Sequence, residues 1–278
     1  MSKEKKQRVH MTFSQMLAAS RDWWHKPQYE LKKYLIEDGK PHKFALVCPG
    51  GGYSMVCSFL EGEPFVADLQ QAGYHVFILY YATKKNAAFP GPMDDLARAV
   101  REISAHAKDW HVDMAGYSVW GFSAGGHLAA SYGTESMGYQ KYHLPKPAAL
   151  VLSYPVVTMD EMTHGGSREW LLGKEPTPEM IALTSVEKQV TKDYPPTFLW
   201  CGDCDTTVPP ENSHRLDEAL TGQGIFHEFH EYPGVEHGVG LGVGLACEGW
   251  QLDAIRFWEK ARQIQPESER SIGFWRGA

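Results

Sequence analysis

The segment Val119-Trp120-Gly121-Phe122-Ser123-Ala124-Gly125-Gly126-His127-Leu128-Ala129-Ala130 constrains the fold of this chain more than any other. It is an apolar run that ends in a glycine-flanked serine and continues into small residues. In Gly-x-Ser-x-Gly the two glycines let the chain reverse sharply between strand and helix. The serine is then held in strained backbone geometry with Oγ exposed at the sheet edge. The surroundings fit: residues 117–120 read as a short strand, and 124–132 as a helix whose first turn is small enough to pack close under a sheet.

The rest of the chain repeats this alternation. Residues 44–48, closed by Pro49, and residues 75–81, 148–153 and 197–201 are near-continuous apolar runs; 226–232 reads as a further strand and 29–37 as an imperfect one. Between them, helices are expected over 61–72, stopped by Gly73, and from near Pro92 to 108, where Leu96, Val100 and Ile103 fall at helical spacing. Further helices are expected over 210–220 and 250–262, with another over 14–24. Uniformly apolar strands separated by helices imply a parallel sheet covered on both faces. The expected fold class is therefore α/β, a mostly parallel central sheet with helices on both faces. It spans residues 1–278 as a single domain, with a small inserted segment at about 154–194 where the pattern turns polar and irregular.

Composition excludes several function classes. A net charge of -7 favours no nucleic-acid partner, and no run is apolar enough for a membrane span. The basic run over residues 3–8 leads into a stretch too polar for a signal-peptide core, and five scattered cysteines, an odd number, point to reduced thiols rather than a disulfide framework. A cytoplasmic location is the expectation from both. Cys201 and Cys204 are spaced C-x-x-C, but neither a second pair nor a neighbouring histidine completes a zinc site, so no metal is expected.

A serine hydroxyl is a poor nucleophile near neutral pH; it needs a base to take its proton and a carboxylate to hold that base in one tautomer. After Ser123, the stretch 202–209 follows one expected strand and 234–238 follows the next. Loops after successive parallel strands open on the same sheet edge. They offer Asp203, Asp205 and His237, and the order Ser, Asp, His is that of an α/β-hydrolase. Asp205 is preferred to its rival Asp203, because Val208-Pro209 sets a turn that buries it and leaves Asp203 exposed. His127, one helical turn beyond Ser123, is expected to pack beneath the elbow. Pro49-Gly50-Gly51-Gly52-Tyr53, after an early strand, presents backbone N–H groups that no side chain blocks. Gly51 or Gly52 together with Ala124 can then hold an oxyanion. The same loop lacks the Lys-Ser/Thr that a phosphate-binding loop requires.

With these residues in view, the chain resembles the α/β-hydrolase serine esterases, and within them the bacterial acetylxylan esterases and bifunctional acetylxylan-feruloyl esterases. The resemblance covers residues 44–258. It is carried by Pro-Gly-Gly-Gly-Tyr at 49–53, Gly-Phe-Ser-Ala-Gly-Gly-His-Leu-Ala at 121–129, Pro-Pro-Thr-Phe-Leu-Trp at 195–200, Asp205 with Val208-Pro209 and Ser213, and His237-Gly238. Lipase-like relatives carry His where this chain has Pro49, and residues 1–40 match nothing of the pattern. The resemblance implies a serine carboxylesterase without cofactor, acting through an acyl-enzyme on short acyl groups of carbohydrates such as acetylated xylo-oligosaccharides. Ser123, Asp205 and His237 would be catalytic, with Gly51, Gly52 and Ala124 as the oxyanion hole. The implied partner is a small-molecule ester, an acylated sugar; self-association into a homo-oligomer is compatible with it. The 154–194 segment lacks a long apolar helix to shield a fatty acyl chain. It mixes His164, Ser167, Arg168, Glu169 and Trp170, types suited to bonding and stacking against a sugar. Rival readings are a small serine peptidase or aminopeptidase of the prolyl-oligopeptidase type, and a ligand-binding receptor that kept the fold without turnover.

Overall fold

The apolar runs pair side by side. In the computed structural model, which describes residues 29–264, seven strands form one sheet: β1 (Glu30–Tyr34), β2 (Phe44–Cys48), β3 (His75–Tyr80), β4 (Ser118–Phe122), β5 (Ala149–Ser153), β6 (Thr197–Gly202) and β7 (His227–Tyr232). Their order is β1-β3-β2-β4-β5-β6-β7. All pairings are parallel except β1 with β3. Strands β2 to β6 are buried along their whole length, whereas β1 and β7 at the edges are largely half-exposed. Strands covered on both faces need apolar side chains at every position. The helix expected over 14–24 lies outside the described residues.

The helices are α1 (Ser58–Glu61), α2 (Val66–Gln71), α3 (Gly91–Ala105), α4 (Ser123–Tyr132), α5 (Gly165–Leu172), α6 (Pro178–Thr184), α7 (Glu211–Gly222) and α8 (Trp250–Ile264). The single helix expected over 61–72 is a correction: it is three pieces, α1, a 3-10 turn at Glu63–Phe65, and α2. Gly62 leaves helical space at φ -135°, and Pro64 follows without an N–H to continue the ladder. The helix expected to run to residue 108 stops at Ala105, where His106 N–H bonds back to the Glu102 carbonyl at 3.1 Å. The inserted segment supplies α5 and α6, each capped by a side chain: His164 accepts from the Ser167 N–H, and Thr177 from the Met180 N–H.

Helix α4 packs on β4 and β5, with α3 against it; α8 packs on β5 and β6. Helices thus cover both faces of the sheet. On the α8 side the rings of Phe65, Trp120, Phe122, Trp200 and Trp250 meet at centroid separations of 4.9–6.4 Å. Gln251 Nε2 donates to Asp68 Oδ2 at 2.9 Å and ties α8 to α2.

The strand order places the site. After β2 the chain steps outward to β3 and then crosses back to β4 on the other side of β2, which opens a crevice between the carboxyl ends of β2 and β4. Cys48 is level with Gly121, and Phe122 with Ser153, so the glycine loop after β2 and the serine after β4 face each other there. The approach is backbone on backbone. A Cβ on Gly125 would lie 2.1 Å from the Cys48 carbonyl oxygen and 2.4 Å from that of Pro49; one on Gly121 would lie 2.4 Å from the Gly125 carbonyl oxygen. Because backbone cannot rotate away as a side chain can, Gly125→Ala should cost about 3 kcal/mol or more, lowering Tm by roughly 6–12 °C in a chain of this size. Calorimetry showing a Tm within about 2 °C of wild type would contradict this packing.

Candidate active site

Ser123 is the first residue of α4 and carries φ +52°, a left-handed conformation that a residue with a Cβ adopts only when its surroundings force it. The force comes from both sides: β4 delivers the chain in extended geometry, and the Val156 N–H holds the Ser123 carbonyl at 3.0 Å. The residue is 7 % exposed. Its Oγ lies 2.8 Å from His237 Nε2, and His237 Nδ1 lies 2.6 Å from Asp205 Oδ2. A carboxylate only accepts, so Nδ1 carries the proton and Nε2 is left to accept from the serine hydroxyl.

Asp205 is 4 % exposed. Its second oxygen, Oδ1, accepts from the Thr207 N–H at 2.9 Å and the Val208 N–H at 2.8 Å, so the carboxylate cannot turn away from His237. Asp203 is exposed, and its Oδ1 accepts from the Gly234 N–H at 2.6 Å. It braces the loop that carries His237 and does not reach the ring. Of the two carboxylates, the structure brings Asp205 to the histidine.

The glycine loop lies against Ser123: a Cβ on Gly50 would be 2.8 Å from Ser123 Cβ. Gly51 and Gly52 have φ +128° and +63°, and at Gly51 a Cβ would meet the Met55 carbonyl oxygen at 2.4 Å. The Gly50 carbonyl accepts from the Cys57 N–H at 2.9 Å; the Gly51 carbonyl accepts from the Ser54 and Met55 N–H groups at 3.0 and 3.2 Å. In a planar trans peptide the next N–H points opposite to the carbonyl, so these bonds fix the directions of the Gly51 and Gly52 N–H groups. Among the described residues neither of those N–H groups has an acceptor. The Ala124 N–H, in the first turn of α4, has none within its helix.

His127 is fully buried beneath this loop. Its Nε2–H donates to the Thr184 carbonyl at 2.8 Å and its Nδ1 accepts from Tyr53 OH at 2.8 Å. Burial pushes its pKa down to about 4, so it stays neutral and holds Tyr53 against the inserted segment.

Two neighbours, Glu61 and Tyr154, escape a sequence reading, and a third, His164, is expected only as one of the inserted-segment residues suited to a sugar. Glu61, buried at the end of α1, accepts from the Gly50 N–H at 2.7 Å and from Tyr154 OH at 2.9 Å. Tyr154 has φ +39°, and its ring meets His237 edge to face at 4.9 Å. His164 sits beside the glycine loop, its Cε1 3.4 Å from where a Gly52 Cβ would be, and burial lowers its pKa. The apolar run ending at residue 153 was the only signal near Tyr154, and Glu61 is an ordinary helical residue by pattern. In the inserted segment, Ser167 is buried against His164, Arg168 donates to the Asp160 carbonyl at 2.9 Å, and Trp170 is exposed.

Cys201 and Cys204 diverge, one buried and one exposed. Cys201 instead faces His214 and Glu231, with donor atoms all within 4.8 Å of one another, a proximity set by the register of Cys201 opposite Glu231. Burial pushes the Cys201 thiol up to about 12, and His214 Nε2 is already bonded to Glu231 Oε1 at 2.8 Å. This donor set is poorly suited to a metal. No helix among the described residues is long and apolar enough to cross a membrane.

Comparison with known proteins agrees with this architecture. A family model described as BD-FAE matches residues 37–220. The chain is 34% identical over 226 residues to endo-1,4-beta-xylanase B of Butyrivibrio fibrisolvens, covering 78% of this chain and 35% of that protein. It is 30% identical over 218 residues to an acetylxylan esterase of Xylanibacter ruminicola, covering 77% of this chain and 44% of the relative. The chain thus spans less than half the length of either curated relative. Among solved structures, the acetyl ester-xyloside bifunctional hydrolase of Caldicellulosiruptor lactoaceticus superposes with a TM-score of 0.77 at 33% identity, covering 84% of this chain and 89% of that one. The resemblance to acetylxylan-type α/β-hydrolase esterases, and the fold class with it, is borne out.

His127 makes stability depend on pH. Unfolded, it titrates near ~6.5; folded, at about 4. Above the unfolded value both states are neutral and the full stability is present. As pH falls toward 4 the unfolded chain takes up a proton that the folded one refuses, and roughly 3 kcal/mol is lost. Urea unfolding at pH 7 and pH 4 should show wild type losing about that much more than His127→Gln; equal losses would contradict the neutral, buried imidazole.

Proposed function

We propose that this chain, which belongs to the BD-FAE family, is a serine carboxylesterase that removes short acyl groups, acetyl above all, from carbohydrates such as xylo-oligosaccharides. The observation that carries the proposal is the hydrogen-bonded series Ser123, His237, Asp205, at 2.8 and 2.6 Å, beside Gly51 and Gly52 N–H groups that have no acceptor among the described residues. In this reading Ser123 Oγ attacks the ester carbonyl while His237 Nε2 takes its proton. The imidazolium is stabilised and oriented by Asp205, and the oxyanion is held by Ala124 with Gly51 or Gly52. Collapse of the tetrahedral intermediate releases the alcohol, which receives the proton from His237. Water then attacks the acyl-enzyme along the same path, with His237 again as base. The mechanism uses no metal or organic cofactor, and we read the α/β-hydrolase unit as one domain with residues 154–194 inserted.

The sugar-ester assignment rests on what borders the site. Helices α5 and α6 span eight and seven residues, too short to roof a long acyl chain. The residue they bring beside Gly52 is an imidazole, His164, rather than an aliphatic group. The names of the xylan-active relatives support the same class. All five cysteines are free, in keeping with a cytoplasmic setting.

Purified protein should hydrolyse p-nitrophenyl acetate with a higher kcat/KM than the octanoate and release acetate from acetylated xylo-oligosaccharides. Ser123→Ala should lower kcat by about 10^4 or more with the fold intact. Preference for octanoate, or no acetate from any acetylated sugar, would move the substrate to lipid esters; cleavage of aminoacyl amides instead would make the protein a peptidase. Within the same assay, Asp205→Asn should cost about 10^4 in kcat, because an amide can present the wrong partner to Nδ1, while Asp203→Asn should stay within about tenfold of wild type. The reverse ranking would reassign the carboxylate.

A further inference from the structure

The oxyanion loop and the histidine loop come from opposite ends of the chain, yet one buried pair of side chains joins them. Glu61 lies 3 % exposed under the glycine loop. Its Oε2 accepts from the Gly50 N–H at 2.7 Å and its Oε1 from Tyr154 OH at 2.9 Å. The phenol oxygen of Tyr154 in turn accepts from the Gly240 N–H at 3.3 Å, three residues beyond His237, while the Gly240 carbonyl accepts from Trp250 Nε1 at 2.9 Å. The Tyr154 ring also sets one wall for the His237 imidazole, 4.9 Å away and inclined at 65°. Tyr154 adopts φ +39° to reach this position, a strained backbone that the surrounding bonds must hold.

We infer that Glu61, acting through Gly50 and Tyr154, is a positioning residue that holds the oxyanion loop and the His237 loop in mutual register. The inference deepens the serine-esterase reading and rests on it. The chemistry of the link requires a carboxylate. Two donors converge on Glu61 from different loops, and an acceptor-only group satisfies both. A glutamine presents one oxygen and one NH2, so its amide N–H faces either the Gly50 N–H or the Tyr154 hydroxyl, and one of the two donors loses its acceptor. The location is expensive for a charge: burial pushes the Glu61 carboxyl pKa up, against the pull of the bonds from Tyr154 and Gly50 and of His237. A residue serving only to fill space there would be apolar. Gly50 tolerates nothing larger, since a Cβ would sit 2.8 Å from Glu61 Oε2. The carboxylate therefore holds the Pro49–Gly50 peptide directly, and its displacement passes through the Gly50 Cα to the next peptide, which carries the Gly51 N–H.

A fluorophosphonate probe tests this independently of which ester is the substrate, because phosphonylation of Ser123 needs the nucleophile, His237 and the oxyanion donors but no particular acyl group. The second-order labelling rate of full-length Glu61→Gln, measured well below its Tm, should fall about 10- to 100-fold. In p-nitrophenyl acetate hydrolysis the loss should appear in kcat, with KM within about threefold. Tyr154→Phe, which keeps the ring, should slow labelling in the same direction. The double variant should be no slower than the worse single, since both break one link. A lower Tm alone would not produce these changes in the folded fraction. Labelling within twofold of wild type in folded Glu61→Gln, or independent, multiplicative losses in the double variant, would overturn the inference. Should Glu61→Gln not fold, Tyr154→Phe alone decides, wild-type labelling overturning it. A wild type that labels at Ser123 but releases no acetate from sugars sinks the substrate reading and leaves this comparison standing; a wild type that does not label overturns both.

Discussion

Everything at the site depends on how closely two backbones approach. The first turn of α4 lies against the carboxyl end of β2 with no room for a side chain at Gly125, where the Cys48 carbonyl oxygen is 2.1 Å from a Cβ position. That contact lets the turn between β4 and α4 tighten until Ser123 occupies φ +52°, and it sets the glycine loop directly against the serine. A looser turn would relax the backbone and carry Oγ away from His237. Strain in one residue is sustained because the sheet, the helix and the loop determine its position three times over.

The fold was largely legible because a doubly covered parallel sheet leaves a simple imprint. Residues 44–48, 75–80, 118–122, 149–153 and 197–202 are buried throughout, so each reads as an apolar run with at most a polar residue at one end. Legibility failed where local and tertiary preferences part. Residues 61–72 carry helical spacing, yet Gly62 and Pro64 divide them, and the division matters: it ends α1 at Glu61 and points that carboxylate inward. Edge strand β1 has a half-exposed pattern, and nothing in its own residues announces that it runs antiparallel to β3. Its anchoring to Glu63 by Lys32 and Tyr34 is a property of two segments together.

The candidate site divides along the same line. Ser123, the glycine loop and His237 stand in short motifs whose shape follows from local backbone chemistry, so they could be read from residues alone. Asp205 was separable from Asp203 because a turn at Val208-Pro209 buries the one and leaves the other exposed; in the structure Asp205 Oδ1 accepts from the Thr207 N–H at 2.9 Å and the Val208 N–H at 2.8 Å. Glu61 and Tyr154 have no such local signature, and His164 stands out only as one polar residue of the inserted segment. A glutamate at a helix end and a tyrosine after a strand are unremarkable until the strand order brings the loops after β2 and β5 together. Glu231 beside Cys201 is a similar case, created by strand register rather than by spacing, with His214 brought to the pair from helix α7.

Two buried titratable groups beneath the glycine loop meet the cost of burial in opposite ways. His127 gives up its charge: its two partners, a carbonyl at Nε2 and a phenol at Nδ1, match a neutral imidazole, and its pKa of about 4 follows from burial without a counter-ion. Glu61 has two donors, both suited to a carboxylate, and lies within electrostatic reach of His237. In the proposed reaction His237 becomes positive as Ser123 attacks, and an ionised Glu61 nearby stabilises that charge, whereas a cation at His127 would oppose it. A neutral histidine on one side and an acceptor-rich carboxylate on the other therefore give the proposed reaction a field of the required sign, with no group having to reorganise as the imidazolium forms.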